Sequence, residues 1–192
     1  AATQVLVTPY AGCAEELIID GVNGYILPLN EAQWAEKCLD LLRNEILGAQ
    51  RFDYAFQLYI HRWAYKHPTP WDFFRTIENA TGEDLGWFWK GMFIHNYKLD
   101  QAVESVKYVK DDASQGALVT IDNLDKMAMP IYIFYETESG KTGMEKVPVE
   151  VWQNGSTWIQ KLNTTEKLKS VTIDPDHVFP DINDANNSWK SN

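Results

Sequence analysis

Near Gln101 the spacing of apolar residues changes, and that change limits the folds open to this chain more than any other feature. Before it, apolar residues recur at helical intervals. Phe52, Phe56, Tyr59, Ile60 and Trp63 fall at i, i+4, i+7, i+8 and i+11, which makes one stripe on one helix. Pro68 ends that helix. Thr69 then stands as a cap, Pro70 takes the first helical position, and Asp72 sits where a capping box wants an acid. Phe73, Phe74 and Ile77 form the buried face of this second helix, and Gly82 stops it. Glu83 and Asp84 favour a third helix start, because acids suit the positive end of the dipole, and Leu85, Phe88, Trp89 and Met92 repeat at i, i+3, i+4 and i+7. After Gln101 the period is two. Strands are expected over 102–109, 116–122, 130–137, 144–152, 156–162 and 168–174. Ile131, Ile133 and Tyr135 alternate with Tyr132 and Phe134, and Val147, Val149 and Val151 alternate with Pro148 and Glu150. Asn154-Gly155 reads as a two-residue hairpin turn. Short strands at regular spacing point to an antiparallel, immunoglobulin-like β-sandwich.

Residues 1–43 read as a small β-α-β-α segment. Residues 4–7 form a short strand, 14–19 a short helix and 25–27 a second strand stopped by Pro28. Asn30 caps a helix in which Trp34, Cys38, Leu41 and Leu42 share a face. Residues 174–192 are polar, with four Asn and two Pro, and read as a loosely ordered tail. The expected class is therefore α+β, in four parts: 1–43, 44–97, 98–174 and a polar tail over 175–192.

Charge and cysteine usage narrow the partners. The net charge is −10, from 27 acids against 17 bases, which argues against nucleic acid because phosphate binding needs clustered cations. Cys13 and Cys38 have neither metal-pair nor C-x-x-C spacing and read as small core residues. No run of eighteen apolar residues exists to span a membrane, and no signal peptide is read at the start.

The stretch from Thr8 to Pro28 resembles the C-terminal domain of retaining glycosyltransferases with two Rossmann-like halves. Gly12, Glu16, Ile18, Asp20, Gly21, Asn23, Gly24, Leu27 and Pro28 match a phrase of the type GG-x-x-E-x-I-x-D-G-x-N-G-x-L-x-P. A glycine loop entering a helix leaves N–H groups free for a diphosphate. The resemblance makes Gly12 and Glu16 weak candidates for contacting a nucleotide sugar. It covers about 40 residues, without that family's paired glutamates. The plainer reading of Glu15 and Glu16 is helix-start acids.

From about Leu42 the chain resembles the C-terminal region of bacterial aminopeptidase N-like zinc metallopeptidases. The residues that carry this are Leu42-Arg43, Ile46-Leu47-Gly48, Arg51-Phe52-Asp53, Phe56, Tyr59-Ile60, Arg62-Trp63-Ala64, Lys66-His67-Pro68-Thr69-Pro70, Asp72 to Thr76, Glu78-Asn79, Gly82 to Leu85, Trp87-Phe88-Trp89 and Gly91. The resemblance implies that residues 45–95 are the last helices of a peptidase domain and that a β-sandwich follows. It also implies a parent that uses zinc and is compatible with export. Such peptidases hold zinc with H-E-x-x-H and a distant Glu, the motif's own Glu acting as base. The histidines here precede Arg62, Pro68, Asn96 and Val178, so the motif is absent. Gly143-Met144-Glu145-Lys146 mimics the family's G-x-M-x-N loop only faintly. No catalytic residue, metal ligand or cofactor is assigned to this chain.

The seam between the two resemblances falls near residues 41–44, where Leu41 and Leu42 satisfy the apolar period of both sides. Other constellations read as structural: His61 and His67 as a metal pair, Trp71, Trp87 and Trp89 as a stacking surface, and Asp174, Asp176, Asp181 and Asp184 as calcium ligands. The expected role is a non-catalytic C-terminal region of an aminopeptidase N-like protein joined to a glycosyltransferase remnant. A partner-binding sandwich is one alternative, and half of a peptidase or glycosyltransferase that needs a missing part is another. Part of the helical stripe is left without cover, which predicts self-association or a missing catalytic domain as partner.

Overall fold

A computed structural model describes residues 6–7, 25–26, 38–95 and 97–191. The chain divides into two compact units, residues 27–96 and residues 1–26 with 97–192. Helices and antiparallel sheets are segregated along the chain, which is the α+β class expected from the change of period.

Residues 6–7 (β1) and 25–26 (β2) pair in parallel, as the β-α-β reading of the front requires. The expected helix at 14–19, and Gly12, Glu16 and Cys13, lie outside the described residues.

In the helical unit, residues 38–41 are helical and pass into a wider π-type turn at Leu42–Ile46, where the N–H of Leu47 reaches the carbonyl of Leu42 at 2.9 Å. A π turn absorbs one extra residue without breaking the helix. It falls where the two resemblances meet, and Cys38, Leu41, Leu42 and Leu47 are all buried across it. Arg43 fastens this turn to the next helix, its Nε and Nη2 donating to both carboxylate oxygens of Asp53 at 2.7 and 2.9 Å. That fork holds the Asp53 carboxyl below its usual range.

Helix α1 (Ala49–Trp63) packs antiparallel on α2 (Pro70–Thr81), as two helices joined by a short turn must. The start of α2 forms the expected capping box: the Asp72 carboxylate accepts from both the backbone N–H and the hydroxyl of Thr69, each at 2.8 Å. Gly82 closes the helix. Arg51 of α1 holds that end by donating to the Thr81 carbonyl at 2.6 Å and to Glu83 at 2.7 Å. A short helix α3 (Gly86–Trp89) runs into a second π-type turn, Lys90–Ile94.

The second unit holds a three-stranded sheet, β3 (Gln101–Tyr108), β4 (Ala117–Asn123) and β7 (Thr157–Leu162), in the order β3-β4-β7. A four-stranded sheet runs β6-β5-β8-β9, from β5 (Ile131–Thr137), β6 (Thr142–Val147), β8 (Leu168–Ile173) and β9 (Ser188–Lys190). Every pairing in both is antiparallel. Ala117, Val119 and Ile121 from one sheet meet Ile131, Ile133, Val171 and Ile173 from the other, so alternate residues build a shared core. This is an immunoglobulin-like sandwich.

Three expectations fail here. Residues 144–152 do not form one strand. The ladder with β5 ends at Val147, because Pro148 has no N–H to donate, and residues Val149–Asn154 turn as a 3-10 helix that still buries Val151. Asn154-Gly155 is not a hairpin tip: β6 and β7 belong to different sheets, and the segment between them is a crossover. The stretch after Asp174 is not loose either. Ser188–Lys190 adds a strand beside β8, and Phe179 packs edge-on over Tyr132 at 4.9 Å, covering the outer side of β5. That cover is why Tyr132 is buried although it points away from the shared core.

Gly143 on β6 lies opposite Tyr135 of β5, and the tyrosine ring occupies the space a side chain would need; a Cβ there would collide with the ring. Overpacking of this kind costs about 1–3 kcal/mol. Gly143→Val is therefore expected to lower the denaturation midpoint by that order in a urea titration, and Gly143→Val combined with Tyr135→Ala to recover part of the loss.

Candidate functional site

Two regions gather the side chains that chemistry could use, and each is built differently. In the helical unit the aromatic residues divide between core and surface. Trp89 is buried, stacked on Phe74 at 4.4 Å, and its indole N–H donates to Glu78 Oε1 at 3.0 Å. Trp87 is half-buried with its edge toward Phe88. Only Trp71 of this trio faces outward, at 53% exposure, so the three do not form one stacking platform. What the sequence did not single out is the end of the hairpin where α1 turns into α2. Ile60, Tyr65 and Trp71 are all exposed there, and Tyr65 adopts a positive φ of 60°. Large apolar side chains grouped at one end of a helical pair mark a place where another surface packs. Trp63 instead turns inward and donates to the Thr76 hydroxyl at 3.3 Å. His61 and His67 are both exposed, one on α1 and one in the turn.

In the sandwich unit the acids of the last segment fasten backbone. Asp174 accepts from the N–H groups of Val178 at 3.0 Å and Phe179 at 2.8 Å. Asp181 accepts from Gln101 at 2.9 Å and from Asn183 at 2.9 Å, tying the last segment to the first strand of the sandwich. Burial pushes both carboxyls up, against the pull of those N–H groups. Asp184 lies 3.4 Å from His177 Nδ1, and Asp176 is exposed. Among the described residues, no group of three or more His, Cys, Asp or Glu is placed to hold a metal ion. The turn between β5 and β6 carries an exposed network in which Glu166 accepts from Lys141 and Ser139. Lys141 and then Ser139 hold the Glu166 carboxyl below its usual range, so it stays ionised as an ion-paired brace.

Cys38 is buried, and desolvation pushes its thiol up to about 12. At neutral pH it is a protonated, apolar core group rather than a nucleophile. Gly143, Met144, Glu145 and Lys146 lie in edge strand β6, where Lys146 Nζ sits over the Tyr132 ring at 4.0 Å; they do not form a substrate loop. No helix among the described residues is long and apolar enough to cross a membrane.

No known protein family matches the chain, and no curated protein does. Among solved structures, aminopeptidase A of Legionella pneumophila, determined in complex with aspartic acid, is similar at 13% identity with a TM-score of 0.58. The likeness covers 78% of this chain and 17% of that one, so the chain spans a small share of that protein's length. At this identity the likeness speaks for the fold alone.

Proposed function

We propose that this chain is a supporting, non-catalytic part of an aminopeptidase-like metallopeptidase, corresponding to the end of its helical domain and the sandwich after it. The observation that carries the reading is the fold likeness to a small share of an aminopeptidase, set beside a sequence in which no histidine begins H-E-x-x-H. In this role the exposed hairpin end, with Ile60, Tyr65 and Trp71, is the face that packs against a zinc-bearing body. Residues 1–41 are read as a glycosyltransferase-like remnant, on the strength of the motif from Gly12 to Pro28 and of the parallel pairing of β1 with β2. Gly12 and Glu16 have no assigned role beyond that likeness.

The chain alone should not hydrolyse aminoacyl-anilides, with or without added zinc. Turnover that follows the protein through gel filtration and is lost with a chelator would contradict the proposal. Titration calorimetry with a UDP-sugar tests the front segment, for which no binding heat is expected.

A further inference from the structure

We infer that Asn154 is a site of spontaneous covalent modification, its side-chain amide converting through a cyclic imide with Gly155 to isoaspartate and aspartate. The Asn-Gly pair, which does not serve as a hairpin tip, instead ends the 3-10 turn that carries the chain from one sheet to the other. Asn154 is exposed, and its carboxamide takes part in no hydrogen bond found among the described residues, so it is free to rotate onto the next peptide nitrogen. That nitrogen is poorly held: Gly155 N–H reaches the Trp152 carbonyl at 3.4 Å, long for such a bond. Nothing lies within 4 Å of where a Cβ on Gly155 would stand, so the approach is open. Nucleophile and electrophile sit in adjacent positions of one chain, which removes much of the entropy cost of bringing them together.

The balance of the reaction is simple. The Gly155 nitrogen, having given up its proton, bonds to Asn154 Cγ. The Cγ–Nδ2 bond breaks, and Nδ2 leaves as ammonia with that proton. Water then opens the five-membered ring. Attack at Cγ restores the main chain with aspartate; attack at the main-chain carbonyl leaves the chain running through Cβ and Cγ as isoaspartate. Water is the only co-reactant.

Among the described residues, Asn154 alone precedes a glycine. Asn44, Asn79, Asn123, Asn163, Asn183, Asn186 and Asn187 all precede residues with a Cβ, and Asn44, Asn123 and Asn186 have their amides bonded. The fold fixes the weakness in place. Gly155 adopts φ 141° and ψ −173°, a conformation that side-chain-bearing residues rarely take. The crossover therefore keeps the one neighbour that leaves Asn154 open to attack. Isoaspartate would lengthen the backbone between two fixed points, the Trp152 indole bonded to the Met129 carbonyl at 2.8 Å and Asn123 N–H bonded to the Ser156 carbonyl at 2.7 Å.

The test is to incubate the native chain in mildly alkaline buffer, digest it with trypsin and follow the peptide 147–161 by mass spectrometry. Its only Asn is Asn154, and the other Asn-Gly pair, Asn23-Gly24, falls in the peptide 1–37. The expected result is a time-dependent amide-to-acid mass shift that splits into two chromatographic species, one of them a substrate for isoaspartyl methyltransferase. Both should vanish in Asn154→Gln. A native peptide that keeps its mass while the urea-unfolded chain converts would overturn the inference, as would a shift that maps to Gln153.

Discussion

Replacing Trp89 with alanine should cost the helical unit about 3–5 kcal/mol, the range for emptying a large aromatic from a core. The side chain is 3% exposed and touches four rings: it stacks on Phe74 at 4.4 Å and meets Phe88 at 5.3 Å, Phe93 at 5.7 Å and Phe73 at 5.9 Å. These rings come from α2, α3 and the π turn after α3, so the indole sits where the three elements meet. Its N–H also donates to Glu78, whose same oxygen accepts the Leu85 N–H at 3.3 Å and so fixes the entry to α3. Removing the ring opens a cavity and removes one of the donors to a half-buried carboxylate. The check is a urea titration followed by far-ultraviolet circular dichroism, with the helical signal lost at a lower midpoint. Trp89→Phe separates the two effects by keeping most of the packing and losing only the hydrogen bond. An unchanged helical midpoint in Trp89→Ala would contradict the packing described.

Asp181→Ala should release the last segment of the chain from the sandwich. The carboxylate accepts two backbone N–H groups, from Gln101 and Asn183; leaving the buried Gln101 donor unpaired costs about 1–3 kcal/mol, while the N–H of the exposed Asn183 can turn to water. Amide hydrogen exchange should show lost protection at Gln101, Ile182 and the strand Ser188–Lys190, which bonds to β8. Asp181→Asn, which keeps one acceptor, should lose less. The pH dependence follows from burial, which raises this carboxyl in the folded state. A raised folded value means the folded protein binds the proton more tightly than the unfolded chain. The group's contribution is therefore greatest below the ordinary carboxylate range and falls as pH rises through the raised value. In Asp181→Asn that segment of the stability–pH curve should flatten.

The sequence announced the elements whose signals are local. The Thr69-Pro70-Asp72 start of α2 carries its cap within four residues, and it forms as read. The strands around Val119, Ile131 and Val171 alternate because each has one face in the core, and they stand within a residue or two of their expected bounds. The failures share a cause, which is dependence on distant partners. Val147, Val149 and Val151 alternate as a strand would, but their ladder partner runs out at Ile131, and Pro148 cannot carry it further. The segment after Asp174 is polar in composition, yet Asp181 finds its donor eighty positions away at Gln101. Phe179, Ile182 and Trp189 are the large apolar residues in that polar stretch, and Phe179 is buried. The exposed hairpin end was illegible for a similar reason. The stripe of α1 reads as uniformly apolar, and it takes the packing of the neighbouring elements to bury its Phe52 while leaving its Ile60 exposed.

Metal content is the most direct test of the account that this chain supports rather than performs peptidase chemistry. The purified chain, equilibrated with zinc and passed through gel filtration, should retain less than about 0.1 equivalent by plasma emission spectrometry, since a peptidase zinc site needs three protein ligands that H-E-x-x-H and a distant Glu would supply. Stoichiometric zinc that survives the column, and is lost on mutating His61 or His67, would contradict it.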